Sequence, residues 1–99
     1  MIDSMNFEST MRHEVYIDGR EREIIVCGES ISLSENEYAI ISLLLENRGR
    51  ALNRAEISRE IDCSARQVDV HIRYLRRKID ERLNLTLIRT VRGVGYVIM

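Results

Sequence analysis

Between Arg12 and Leu33 the apolar residues fall in short β-favouring stretches, Val15-Tyr16-Ile17, Glu23-Ile24-Ile25-Val26 and Ile31-Ser32-Leu33, separated by turn signals at Asp18-Gly19 and Gly28-Glu29. Stretches of this length between turn residues predict a small antiparallel meander. At Ser34 the spacing of apolar positions lengthens from two to about 3.6 residues. Ser34-Glu35-Asn36-Glu37 is a capping box, in which a Ser oxygen and a Glu carboxylate satisfy two backbone donors that a helix start leaves open. The helix it opens carries Tyr38, Ile41, Leu44 and Leu45 on one face, widened by Ile40 and Leu43, and Asn47-Arg48-Gly49 stops it.

Two more boxes follow. Asn53-Arg54-Ala55-Glu56 opens a shorter helix through Ile57 and Ile61, and Ser64-Ala65-Arg66-Gln67 opens the longest one, which runs to about Arg82. At ~1.5 Å per residue the third helix is roughly 25 Å long. Its stripe of Val68, Ile72, Leu75 and Ile79 predicts a core-facing side. After Asn84 the pattern reverts to strand, with Leu87 to Val91, a turn at Arg92-Gly93-Val94-Gly95, and Tyr96-Val97-Ile98. This predicts a β-hairpin with glycines at positions of positive φ. Residues 12–99 thus read as one domain, and residues 1–11 as a disordered N-terminal segment outside the pattern.

Composition narrows the class. Ninety-nine residues with 44% hydrophobic and 31% charged side chains suit one small globular domain. No run approaches the roughly 18 apolar residues of a membrane span, so membrane insertion is excluded. Met1, Ile2, Met5 and Phe7 are scattered among polar residues rather than following a basic leader, which predicts a cytoplasmic protein. Cys27 and Cys63 are 36 positions apart, and His13 and His71 are equally isolated, so no zinc spacing exists and reduced structural thiols are expected. A Cys63–His71 catalytic pair is marked by nothing in the sequence. Phosphate loops, nucleophile elbows and acid pairs in an aromatic cleft are missing too, which argues against an enzyme.

The net charge of −1 argues at first against nucleic acid, since phosphate binders are usually basic. Its distribution argues otherwise. Residues 1–63 carry 7 basic and 13 acidic side chains, whereas residues 64–99 carry 8 basic and 3 acidic. With the apolar stripe turned inward, the third helix presents Arg66, Asp69, Val70, Arg73, Tyr74 and Arg77 outward, beside Arg92 on the hairpin turn. Guanidinium groups suit phosphates and the guanine edge, Asp69 can accept from cytosine N4, and Val70 can touch a thymine methyl. Arg92 on a narrow turn can enter a minor groove. A basic helix face is also commonly just solvated: Arg73 and Arg77 could pair with Asp69 and with Asp80 or Glu81. Tyr74 could equally be a rim residue of the core, and His71 a packed, hydrogen-bonded histidine.

The segment Arg66-Gln67-Val68-Asp69-Val70-His71-Ile72-Arg73-Tyr74-Leu75-Arg76-Arg77-Lys78-Ile79, with Ile88-Arg89-Thr90-Val91-Arg92-Gly93-Val94-Gly95-Tyr96, resembles the signature of OmpR/PhoB-type winged-helix effector domains of bacterial response regulators. Leu33-Ser34 with Glu37 is similar to that family's Leu-Thr-x-x-Glu start of the first helix, and Asn47-Arg48-Gly49-Arg50 with Arg54 to its connection to the second. The resemblance spans about Val15 to Ile98. It implies an α+β winged helix-turn-helix: an N-terminal antiparallel β-meander, three helices, and a C-terminal β-hairpin wing at 87–98. By the same resemblance, the recognition helix at about 65–81 lies in the major groove of double-stranded DNA. Asp69, Val70 and Tyr74 would then face base edges, and Arg92 the minor groove. Arg66, Gln67, His71, Arg73, Arg76 and Arg77, with Thr90 and Tyr96, would hold phosphates. It further implies head-to-tail homodimers on direct repeats, transcription regulation within a two-component system, and no cofactor.

Three departures bear on function. Position 74 is more often basic in the family, so Tyr74 alters the expected base preference. The link from second to third helix, about Asp62 to Ala65, is shorter than the family loop that touches RNA polymerase, which argues against activation by that route. The 99 residues hold no receiver, and the meander is one strand short, so the expectation is either an excised effector domain or a free-standing regulator. The runner-up reading is a winged-helix protein-interaction module whose acidic part (Glu8, Glu14, Glu21, Glu23, Glu29) meets another transcription regulator.

Overall fold

A computed structural model of the chain describes residues 14–99; His13 and the predicted 1–11 segment lie outside them. Three strands, β1 (Val15–Asp18), β2 (Glu23–Val26) and β3 (Glu29–Ser32), form an antiparallel sheet in the order β1-β2-β3. The meander is therefore present. Its third strand begins two residues earlier than the sequence pattern predicts, because the β2-β3 turn falls on Cys27-Gly28 rather than Gly28-Glu29. Both turn residues have positive φ, 52° and 81°, as a two-residue hairpin demands. In the β1-β2 loop Asp18 Oδ1 accepts from the Arg20 and Glu21 amides.

Helices α1 (Glu35–Glu46), α2 (Arg54–Ile61) and α3 (Ala65–Leu75) each begin with a complete capping box, at Ser34/Glu37, Asn53/Glu56 and Ser64/Gln67. The fully buried centre of α1 is Ile40, Ile41 and Leu44; Tyr38 and Leu45, expected on that face, flank it half-buried. The third helix reaches its predicted length but changes character. From Arg76 to Glu81 it widens into π-helical turns. Within this segment Ile79 and the adjacent Asp80 are both buried. Asp80 Oδ2 then accepts from the amides of Leu87 and Ile88 at 3.0 and 3.2 Å and starts the wing, made of β4 (Ile88–Val91) and β5 (Gly95–Ile98).

The core gathers Ile24, Val26 and Ile31 from the sheet, Ile40, Ile41 and Leu44 from α1, Ile57 from α2, Val68, Ile72, Leu75 and Ile79 from the third helix, and Ile88 and Ile98 from the wing. The expected stripe is thus buried throughout. Of the two wing glycines expected at positive φ, Gly93 adopts it (φ 78°) and Gly95 does not. Gly95 is required for space instead: Tyr96 exchanges backbone hydrogen bonds with Leu52, and a Cβ on Gly95 would run into the Leu52 carbonyl. Among the described residues no helix is long and apolar enough to cross a membrane.

Candidate nucleic-acid interface

The outer surface of α3 follows from its inner one. With Val68, Ile72 and Leu75 in the core, Arg66, Gln67, Arg73 and Tyr74 are exposed, Arg77 continues that face into the π segment, and Asp69, Val70 and His71 border it half-buried. Arg66, Arg73, Arg77 and Arg92 make no ion pair or side-chain hydrogen bond among the described residues. Arg73 and Asp69 form no ion pair, although the Arg73 charge still acts on the Asp69 carboxylate from further off. Arg92 stands at the exposed turn of the wing, next to Gly93 and the exposed Val94. Four cations without protein partners therefore share one helix face and the hairpin tip.

Asp69 is the junction of three elements. Its carboxylate accepts from Arg54 Nε on α2 at 2.7 and 2.9 Å and from the Tyr96 hydroxyl on β5 at 2.6 Å. Burial alone would raise its pKa, but the Tyr96 hydroxyl and Arg54, with Arg73 further off, outweigh burial and hold the carboxyl below its ordinary range. Burial and the neighbouring Asp69 charge push the Tyr96 phenol up, and Asp69 likewise raises Arg54. The Tyr96 ring also lies 5.8 Å from the Arg54 guanidinium carbon and 5.5 Å from that of Arg76.

Arg76 and Thr90, both expected to hold phosphates, bond to each other: Arg76 Nη2 donates to Thr90 Oγ1 at 2.6 Å and to the Ile88 carbonyl at 3.1 Å. Gln67 Oε1 accepts from the Ser64 amide in the capping box, leaving its amide nitrogen free to donate. His71 Nε2 lies 3.4 Å from Asn36 Nδ2, while its Nδ1 is buried without a partner among the described residues. Cys63 Sγ lies 3.5 Å from the Ser64 carbonyl, both cysteines are free, and no Cys63–His71 pair is assembled. The structure therefore brings the expected residues to one side, but divides them. Arg66, Val70, Arg73, Tyr74, Arg77 and Arg92 are presented outward, whereas Asp69, Arg76, Thr90 and Tyr96 lock helix to wing.

Three contributors to that arrangement were not singled out from the sequence. Arg54 enters only through the family resemblance, since nothing local marks a partner 15 residues away. Lys78 donates to Glu37 Oε1 at 2.6 Å and to the Ser32 carbonyl at 3.1 Å, pinning the third helix to α1 and β3. Burial works to raise the Glu37 pKa; Lys78 and the Ser34 amide outweigh it, and the carboxyl lies below its ordinary value. The third is Asp80, buried in the π-helical segment and bonded to the amides that start the wing.

Known proteins share this arrangement. Residues 28–98 match the family model described as "Transcriptional regulatory protein, C terminal". The response regulator protein PmrA of Pseudomonas aeruginosa is 36% identical over 88 residues, covering 84% of this chain and 38% of PmrA. The transcriptional regulatory protein TrcR of Mycobacterium tuberculosis is 40% identical over 90 residues, covering 86% of this chain and 35% of TrcR. The chain thus spans little more than a third of the length of these relatives. Among solved structures, the AdeR DNA-binding domain in complex with an intercistronic region superposes with a TM-score of 0.76 at 27% identity, covering 90% of this chain and 96% of that one. The Klebsiella pneumoniae RstA DNA-binding domain in complex with the RstA box gives 0.72 at 28% identity, covering 85% and 89%. The chain belongs to the OmpR/PhoB-type family of winged-helix DNA-binding effector domains of response regulators, and is a transcription-regulator module rather than an enzyme.

Proposed function

We propose that this domain binds double-stranded DNA sequence-specifically, with the recognition helix in the major groove and the wing at the minor groove. The observation that carries the reading is the set of four unpartnered arginines, Arg66, Arg73, Arg77 and Arg92, on one helix face and the wing tip of a chain whose net charge is −1. Cations left without protein partners suit phosphate oxygens and base edges. Asp69, Val70 and Tyr74 face base edges, Asp69 with its carboxylate already oriented by Arg54 and Tyr96. Arg92 enters the minor groove. Gln67, His71, Arg76, Thr90 and Tyr96 border the backbone contacts; of these, Gln67 has an amide nitrogen that donates to nothing among the described residues, His71 rests against Asn36 of α1, and Arg76, Thr90 and Tyr96 serve chiefly by holding the helix and wing in register.

The domain binds direct repeats head to tail, the arrangement the family resemblance implies. Contact with RNA polymerase through the link between α2 and α3 is not part of the proposal, because only Asp62 to Ser64 separate those helices. Titration of duplexes selected from a random library, at several salt concentrations, tests the reading. With about four phosphates neutralised, log affinity falls against log salt with a slope of roughly −4. Failure to select any duplex, or a slope near zero, contradicts it.

A further inference from the structure

We propose that Arg76 and Asp80 are positioning residues for the wing, clamping Ile88 to the third helix and thereby aiming Arg92 at the DNA. The inference rests on the DNA-binding reading above and adds the residues that set the wing's place on a bound duplex. β4 pairs with β5 alone among the described residues, and its other edge faces the end of the third helix. On that edge Asp80 Oδ2 accepts from the Leu87 and Ile88 amides at 3.0 and 3.2 Å, while Arg76 Nη2 donates to the Ile88 carbonyl at 3.1 Å. A neighbouring antiparallel strand would give Ile88 the same pair of bonds, one donated and one accepted. Two side chains four residues apart in the π-helical segment thus stand in for a strand. Arg76 extends the clamp to Thr90 Oγ1, at 2.6 Å and two residues nearer the turn.

The clamp closes the side of the wing that the backbone leaves open. β5 is held independently by backbone bonds, Tyr96 with Leu52 and Ile98 with Gly49, so the hairpin stays attached without the clamp. What the clamp removes is rotation of β4 about β5. At ~3.3 Å per residue the Arg92 turn lies roughly 13 Å beyond Ile88, so a tilt of about 10° at the anchor moves the turn by about 2 Å. A displacement of that size breaks a hydrogen bond. Asp80 carries the wrong charge to hold a phosphate, so its effect on DNA binding passes through the wing.

Double-mutant cycles on duplexes selected by the wild-type chain test this. Arg92→Ala is expected to weaken wild-type binding roughly tenfold. In Asp80→Ala and in Arg76→Met the same replacement should cost less than about threefold, because the turn is no longer held where Arg92 makes its contact. Arg66→Ala, on the helix face, should cost the same within about twofold in all three backgrounds. Asp80→Asn removes the same charge as Asp80→Ala but keeps an oxygen for the two amides, and should preserve the cost of Arg92→Ala. A merely structural role lowers the folded fraction, which scales every affinity alike and leaves the Arg92 cost at about tenfold. A direct phosphate contact by Arg76 would instead multiply with the Arg92 cost. Either result overturns the inference while leaving DNA binding intact, as does an Arg66 cost that falls together with the Arg92 cost, loss of the Arg92 cost in Asp80→Asn, or a wild-type Arg92 cost below about threefold. Arg76 lies partly outside the core, so Arg76→Met decides alone if Asp80→Ala does not melt cooperatively. Failure of the wild-type chain to select any duplex overturns the DNA-binding reading itself.

Discussion

Glu37 and Gly95 show how much of the interface depends on residues that never reach its surface. Glu37 is buried, closes the first capping box and accepts from Lys78, so it fixes the start of α1 and the π-helical end of the third helix at once. Replacing Lys78 with Met leaves that carboxylate without its cation; discounted for the partial exposure of Lys78, the cost is roughly 1–3 kcal/mol in a denaturant melt. The lowered pKa of Glu37 also sets a pH dependence. Its contribution is complete above the ordinary value of 4.5 and is lost as pH falls below that through the folded-state value, and Asp69 behaves alike below 3.8. Acid titration of the melting temperature should therefore show a steep fall below about pH 4.5 that is shallower in Glu37→Gln. Gly95→Ala forces a methyl group against the Leu52 backbone and should cost at least about 2 kcal/mol.

The three capping boxes were readable because each is a contiguous pattern whose physics is complete within four residues, and all three helices start where the boxes stand. Ser64→Ala should accordingly cost about 1 kcal/mol, measured by melting, and loosen the first turn of α3 beside Arg66. The buried stripe of the third helix and the wing hairpin were legible from the spacing of their apolar residues and the glycines of the turn. The register of β3 was not, because Cys27 gives no sign that it will take positive φ. Nor was the π-helical widening, for which no contiguous residue pattern gives a sign, or the pairing of Asp80 with the amides of Leu87 and Ile88. Asp80→Ala leaves two strand-start amides without their acceptor and should destabilise by roughly 2–4 kcal/mol. In the candidate interface, the outward residues followed from periodicity alone. The pairing of Asp69 with Arg54 and Tyr96 did not, since those partners lie 15 and 27 residues away.

Across the whole molecule, helix and wing are tied into one unit. Arg76 joins the third helix to β4, Asp69 joins α3 to α2 and β5, and Lys78 joins the third helix to α1. These bonds fix the offset between the third helix and the turn that carries Arg92. The polarised charge is in keeping with the proposed DNA contact: most acidic side chains lie in the first part of the chain, and most basic ones between residues 64 and 99, where that contact is proposed. Methylation interference on a selected duplex separates the two proposed contacts, because guanine N7 methylation blocks the major groove and adenine N3 methylation the minor groove. Interference is expected at guanine N7 or other major-groove positions in one cluster, flanked by interference at adenine N3 that disappears in Arg92→Ala while the major-groove cluster stays. Interference confined to a single groove, or an adenine N3 pattern unchanged by Arg92→Ala, would contradict the proposed DNA contact.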